Sequence, residues 1–194
     1  MVTTQTHAGP RNTEQVTLRP LALADAPRVR RWMADLALIR MTVVVPGPEH
    51  GPLAPYTVSD ADHYLSTLVC DPARKSFAIE LGGVHVGNVG IKDWRPGALS
   101  AECFIEVGEA SVRGRGVGKR ALLRLLEVGF FELGLHVVRL GVFEFNAPAL
   151  ALYRTVGFVH EGRYGWHWAD GCYHEINAMA LHRQRFVRQG PAPQ

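Results

Sequence analysis

Val112-Arg113-Gly114-Arg115-Gly116-Val117-Gly118-Lys119-Arg120 stands between a strand-like run and a strongly periodic helix. The run before it is Glu102-Cys103-Phe104-Ile105-Glu106-Val107. The pattern after it places Leu122, Leu125, Leu126, Gly129, Phe130 and Leu133 on one helical side. Glycines at 114, 116 and 118 let the backbone approach a ligand and turn successive N–H groups the same way. A helix starting near Gly116 aims its positive end at that point. Arg113, Arg115, Lys119 and Arg120 crowd the turn, and no acidic residue occurs from Ala110 to Leu126. Together these features describe a cradle for phosphate.

Two familiar phosphate patterns are excluded by position. The P-loop would need glycine where Arg113 stands, and the dinucleotide fingerprint counted from Gly114 would need glycine where Lys119 stands. What fits is R-x-x-G-x-G, read as Arg113, Gly116 and Gly118. That spacing resembles the acetyl-CoA pyrophosphate loop of the GNAT superfamily of N-acetyltransferases. Taken alone, a glycine-rich helix start of purely structural use explains it equally well.

Composition narrows the field. The 194 residues suit one domain, and 47% hydrophobic with 20% charged is ordinary for a globular protein. A net charge of +3, gathered around residues 113–124, suits a small anionic ligand better than a nucleic-acid track. Cys70, Cys103 and Cys172 form neither a disulfide framework nor a recognisable metal motif, which implies a reducing cytoplasm and no metal. No apolar run reaches membrane-spanning length, and residues 1–10 lack the apolar stretch of a secretory signal.

In chain order, residues 1–14 read as a loose tail and Val16–Leu21 as a strand. Asp25 and Pro27 open a helix with Val29, Trp32, Met33 and Leu36 on one stripe. Residues 45–55, with four prolines and two glycines, form a long loop, either a substrate-side flap or an inert connection. Ser59-Asp60-Ala61-Asp62 reads as a capping box for a helix carrying Ala61, Tyr64, Leu65 and Leu68. Residues 77–81 and 84–91 alternate about Gly82-Gly83 as a hairpin. The strand–helix–strand order then makes 101–107 and 137–143 parallel neighbours. Asn146 caps a helix ended by Gly157, and 158–162 with 174–181 make a last strand pair around Asp170-Gly171. One domain over 15–182 is expected, with 183–194 a fraying basic tail.

The resemblance extends beyond one loop. Asn146-x-x-Ala149-x-x-x-Tyr153-x-x-x-Gly157-Phe158, followed by Glu161-Gly162, resembles the second signature of the same superfamily. Leu18-Arg19-Pro20-Leu21 and Asp25 resemble the branch holding ribosomal-protein N-terminal and spermidine acetyltransferases. The similarity runs from about residue 16 to 181. It implies an α/β GNAT (acyl-CoA N-acyltransferase) fold: a mixed twisted sheet with helices on both faces and parallel strands 101–107 and 137–143 splayed apart. It implies acetyl-CoA as cofactor, bound by Arg113, Gly114, Arg115, Gly116, Val117, Gly118 and Lys119, with the strand at Glu106 and Val107 pairing with pantetheine and Asn146 within reach.

The chemistry asks for a proton acceptor, because an ammonium cannot attack a thioester. A lysine amine needs roughly 4 to 5 kcal/mol to be neutral at pH 7 and an α-amine only about 1. Glu102 and Glu106 share one face of their strand, and Glu102 resembles the general base of histone acetyltransferases. A strand carboxylate bonded to a neighbour is the plain alternative for Glu102. The resemblance implies that backbone N–H groups near Glu106 and Val107 face the carbonyl, and Gly108 fits a break in the strand. Tyr153 is the candidate acid for the departing thiolate by its place in the motif. One alanine-acetylating subgroup carries a glutamate base where this chain has Gly141. His85, on an alternating strand, reads as a hydrogen-bonded polar residue, and Trp166-His167-Trp168 as packing or acceptor-pocket lining. The expected acceptor is a protein N-terminal α-amine, with a polyamine or aminoglycoside as the alternative. A non-catalytic acyl-CoA-binding module is the reading of another class. Neither nucleic acid nor membrane is an expected partner, and the chain is expected as monomer or homodimer.

Overall fold

The computed structural model describes residues 15–42, 53–167 and 172–188. Its frame is a seven-stranded sheet in the order β1-β2-β3-β4-β5-β7-β6. The strands are β1 (Val16–Pro20), β2 (Lys75–Leu81), β3 (Val84–Lys92), β4 (Ser100–Glu106), β5 (Val137–Phe143), β6 (Val159–His167) and β7 (Tyr173–His182). Every neighbouring pair is antiparallel except β4 and β5. The β2–β3 hairpin turns on Gly82 and Gly83, both at positive φ (58° and 83°), a turn whose hand matches the strand twist.

The β4–β5 contact positions the site. The two strands pair only from Ser100–Glu102 to Val137–Arg139. Past that point β4 follows β3, ending with Glu106 opposite Asn88, while β5 follows β7 and ends with Phe143 opposite Ile176. A V therefore opens between 103–107 and 140–143, the splay expected from the resemblance. Gly108, just past β4, is required by a close approach: a Cβ there would overlap the Trp32 ring.

Helices cover both faces because their apolar stripes have helical period. On one side lie α4 (Val117–Glu127) and α5 (Ala147–Val156). Val117, Leu122, Leu125 and Leu126 pack there on Ala101, Cys103, Val138 and Leu140. Each leucine so buried contributes about 1.5–3 kcal/mol, which fixes the helix rotation. On the other side lie α1 (Ala26–Met33), the short α2 (Leu36–Ile39) and α3 (Val58–Cys70). Val29, Trp32, Leu65 and Leu68 meet Ala78 and Phe104 there. Among the described residues no helix is long and apolar enough to cross a membrane.

Three local expectations are corrected. Asp25 does not cap α1 with its side chain; its carboxylate accepts from the Ala22 N–H and the Arg19 guanidinium, tying a 3-10 turn (Leu23–Asp25) to β1. The capping box of α3 lies two residues earlier than Ser59. Asp60 N–H donates to Thr57 Oγ1 at 3.2 Å, and Thr57 N–H donates to Asp60 Oδ2 at 3.0 Å. Thr57→Ala should thus lower the urea-unfolding free energy by about 1 kcal/mol, while Ser59→Ala stays within about 0.5 kcal/mol. Finally, the chain does not fray from residue 183. Arg183–Arg188 form α6, held by Phe186, which is buried against Phe130 at 5.3 Å between ring centroids. Residues 1–14, 43–52, 168–171 and 189–194 lie outside the described residues, and with them most of the 45–55 loop, Trp168, the Asp170-Gly171 turn and the rest of both tails.

Candidate active site

The glycine turn links β4 to α4 through a short 3-10 turn, Ala110–Val112. Gly114 and Gly116 both sit at φ 75°, the left-handed region, with open space where a Cβ would be. Gly116 is the N-cap of α4 and no side chain caps that end. The first-turn N–H groups of Val117, Gly118 and Lys119 consequently lack side-chain acceptors, the condition an anion satisfies. Gly118 is less demanding: a Cβ there would make ordinary contacts, 3.5 Å to Leu152 and 3.6 Å to Val107.

Not every cation of the turn faces outward. The Val117 side chain is core. Arg113 folds back on the strand, its Nε donating to Val107 O at 2.8 Å and its Nη2 to Gly108 O at 2.9 Å. Its guanidinium braces the end of β4, so its closest role is in holding the splay. Lys119 and Arg115 stay exposed on the turn.

One cavity of about 590 Å³ joins this turn to the α1–α3 face through the V. Gly114, Gly116 and Lys119 line one end, and Tyr56, Tyr64 and Glu106 the other. Tyr153 lies on the α5 side. It is 7% exposed and packs against Phe158 at 5.7 Å between ring centroids. Burial, helped by the neighbouring Cys103 thiol, pushes its hydroxyl well above the usual tyrosine range. Burial also pushes the Cys103 thiol up to about 12, which keeps it a thiol and a poor nucleophile. Asn146 caps α5 by accepting from Ala149 N–H at 3.2 Å, and its Nδ2 donates to Met41 O at 3.1 Å. It thereby ties the residues after α2 to the cavity wall.

Glu102 and Glu106 do share one face of β4, the α1–α3 face, but their surroundings differ. The Glu102 side chain is 45% exposed and pairs with Lys92 Nζ at 2.7 Å. Glu106 is buried. Its Oε1 accepts from Asn88 Nδ2 at 2.6 Å and its Oε2 from the Tyr64 hydroxyl at 3.1 Å. Desolvation raises its carboxyl above the usual range, and those two bonds only partly oppose it. Asn88 in turn meets His85 Nε2 at 2.9 Å, so His85 is the hydrogen-bonded polar residue its strand suggested.

Sequence reasoning left out Tyr64, Asn88 and Tyr164 as site residues. Asn88 carried a signal: it is the one amide in a strand otherwise buried and apolar around it, and such a group needs a partner. Tyr164 carried none, since it reaches the cavity from β6 across β7. A Cβ on Gly141 would lie 2.7 Å from its hydroxyl, so the missing side chain at 141 is what admits Tyr164. Among the described residues no three of His, Cys, Asp and Glu are placed to hold a metal ion.

A profile of the acetyltransferase (GNAT) domain family matches residues 15–159. The chain is 34% identical over 155 residues to the N-alpha-acetyltransferase RimI of Mycobacterium tuberculosis, covering 78% of this chain and 83% of that protein. Among solved structures it resembles a spermidine N-acetyltransferase from Vibrio cholerae in complex with CoA and spermine. The TM-score is 0.75 at 23% identity, over 89% of this chain and 98% of that one. A GNAT-family acetyltransferase from Bacillus anthracis superposes with a TM-score of 0.73 at 17% identity, over 89% and 97% of the two chains.

Proposed function

As this chain belongs to the acetyltransferase (GNAT) family and is an acetyl-CoA-dependent N-acetyltransferase, we propose that its acceptor is the α-amine at a protein N-terminus. The observation that carries this is the acceptor end of the cavity. Among the described residues it offers one buried carboxylate, Glu106, walled by Met33, Leu38, Tyr56 and Tyr64. Glu102, at the more exposed end of β4, is already paired with Lys92. One ammonium beside a small apolar side chain suits that end, and an α-amine needs little help to lose its proton. The relative named as an N-alpha-acetyltransferase supports the same acceptor.

Acetyl-CoA supplies the thioester carbonyl at which nitrogen replaces sulfur. The uncapped N–H groups of Val117, Gly118 and Lys119, with Gly114 and Gly116 open above them, fit its diphosphate. Exposed Arg115 and Lys119 add charge, and the backbone at Glu106 and Val107 borders the V for the pantetheine arm. A carboxylate on the α1–α3 face of β4 takes the amine's proton directly or through water, with Glu102 the member nearest solvent. Tyr153, on the opposite side of the V, holds a proton for the departing sulfur. The place of action we assign is the cytoplasm, in keeping with three widely spaced cysteines.

A second reading, a polyamine acceptor, is favoured by two carboxylates on one strand face and by the likeness to the spermidine enzyme's fold. Thiol release from acetyl-CoA against N-terminal peptides, polyamines, aminoglycosides and amino acids separates the two. The expected result is a kcat/KM for a peptide N-terminus at least about tenfold above that for spermidine, a difference of about 1.4 kcal/mol. The reverse order overturns the α-amine reading. Glu102→Gln should then raise KM for the acceptor about threefold with kcat little changed, as expected where an exposed charge draws the ammonium in.

A further inference from the structure

Within that reading, we propose that Glu106 is the group that receives the acceptor's proton, on its Oε2 atom, and that Asn88, locked in orientation by His85, positions it. The argument begins at His85. Its Nε2 lies 3.0 Å from Gly87 O and 2.9 Å from Asn88 Oδ1. A backbone carbonyl only accepts, so Nε2 must carry the hydrogen. The other ring nitrogen, Nδ1, is 3.3 Å from Asp25 Oδ1 without hydrogen-bond geometry. Burial outweighs the pull of Asp25 and lowers the imidazole's pKa, favouring the neutral ring with its one proton on Nε2. Asn88 must then turn its oxygen to His85, which leaves its amide nitrogen facing Glu106 Oε1 at 2.6 Å.

An amide nitrogen donates and does not accept, so a proton on Oε1 would have no accepting partner in Asn88. Oε2 does have one. Its partner is the Tyr64 hydroxyl at 3.1 Å, which rotates from donor to acceptor when the carboxyl is protonated. Glu106 therefore sits in a cavity-lining site whose two oxygens are differentiated, one pinned as acceptor and one free to change state. Glu102 lacks this arrangement, because its partner is the Lys92 ammonium. The ammonium proton passes to Oε2, the freed lone pair forms the C–N bond and the thioester C–S bond breaks; the departing sulfur takes a proton from Tyr153, and the second proton shed by the nitrogen restores that hydroxyl. Glu106 then gives its proton back to water.

The groups facing Glu106 are Tyr64 of α3, Tyr56 just before α3, and Asn88 with, through it, His85 on β3; Glu102 lies four residues away on the same strand face. Glu106→Gln keeps both hydrogen bonds, since the amide accepts from Asn88 and donates to Tyr64. Ionising a carboxyl whose folded pKa is raised costs stability, and that cost grows as pH rises through the folded value. The variant should accordingly melt no lower than the parent at pH 7, and calorimetry should give acetyl-CoA binding within about twofold of it.

With a peptide acceptor, Glu106→Gln should lose about 30-fold in kcat/KM and flatten the acid limb of its pH profile. The loss sits below the usual general-base range because an α-amine is already partly neutral. Asn88→Asp puts a second carboxylate against Oε1 and should move that acid limb upward by about one pH unit or more. Activity of Glu106→Gln within threefold of the parent with the limb unmoved, or an unmoved limb in Asn88→Asp, overturns the proposal while leaving the acetyltransferase reading in place. A parent enzyme that binds acetyl-CoA yet acetylates no amine overturns both.

Discussion

Tyr153→Phe is expected to lower kcat by about 100- to 1,000-fold while leaving acetyl-CoA affinity within about twofold. Only a hydroxyl is lost. The ring stays wedged on Phe158 with Val156 and Leu150 buried around it, so stability should change by no more than about 1 kcal/mol. Transfer leaves negative charge on sulfur in a poorly hydrated cavity, where one donor is worth more than in water. Burial holds the Tyr153 hydroxyl above the usual range, so the protonated form is the one present throughout ordinary assay conditions. Such a hydroxyl contributes chiefly as a hydrogen bond that strengthens as charge builds on the leaving atom.

The sign of that shift sets the pH profile. A raised acid keeps its proton longer, so ionisation of Tyr153 should cause no fall in rate below about pH 10. An alkaline limb near pH 8 or 9 that vanishes in Tyr153→Phe would contradict this. Pre-steady-state thiol release, paired with calorimetry on the same preparation, reads both quantities. Wild-type turnover in the variant would remove Tyr153 from the chemistry and leave it a packed aromatic.

Much of this arrangement is legible in the sequence, and the reasons differ by element. The α4 stripe and the glycine turn were legible because both are local: helical period and positive-φ glycines are properties of short stretches. Parallel β4 and β5 followed from order alone, since a strand–helix–strand unit has few ways to pack. The α3 cap was misplaced because Thr57 and Ser59 both satisfy the pattern, and only the path of the chain selects Thr57. The helix at 183–188 is not legible in so basic a segment, because it is held by one buried apolar residue, Phe186, while Val187 beside it is exposed. Depth was the least legible property. Alternation put Glu102 and Glu106 on one face, yet their contrast is made by α3 and β3, which bring Tyr64 and Asn88 over one carboxylate and leave Lys92 to the other. The slot that Gly141 leaves for Tyr164 likewise joins residues on β5 and β6 that no spacing rule connects.

Gly116→Asp should weaken acetyl-CoA binding by at least about 100-fold, or about 2.7 kcal/mol, while costing the fold only about 1 kcal/mol. Gly116 is at φ 75°, which aspartate tolerates better than most residues, and its Cβ would meet nothing within 4 Å. Its new carboxylate also favours the positive end of α4, so the strain is partly offset. The same charge confronts any diphosphate seated on the N–H groups of Val117 to Lys119. At about 5 Å and an effective dielectric near 20, each phosphate charge so opposed costs roughly 3 kcal/mol, which is more than the binding defect being predicted. Gly116→Asn separates the causes: it shares the backbone strain without the charge and should bind within about tenfold of the parent. Raising the salt concentration should recover part of the aspartate defect and none of the asparagine one, because screening acts on charge and not on strain. Equal losses in both variants, or none in either, would place the diphosphate away from this turn.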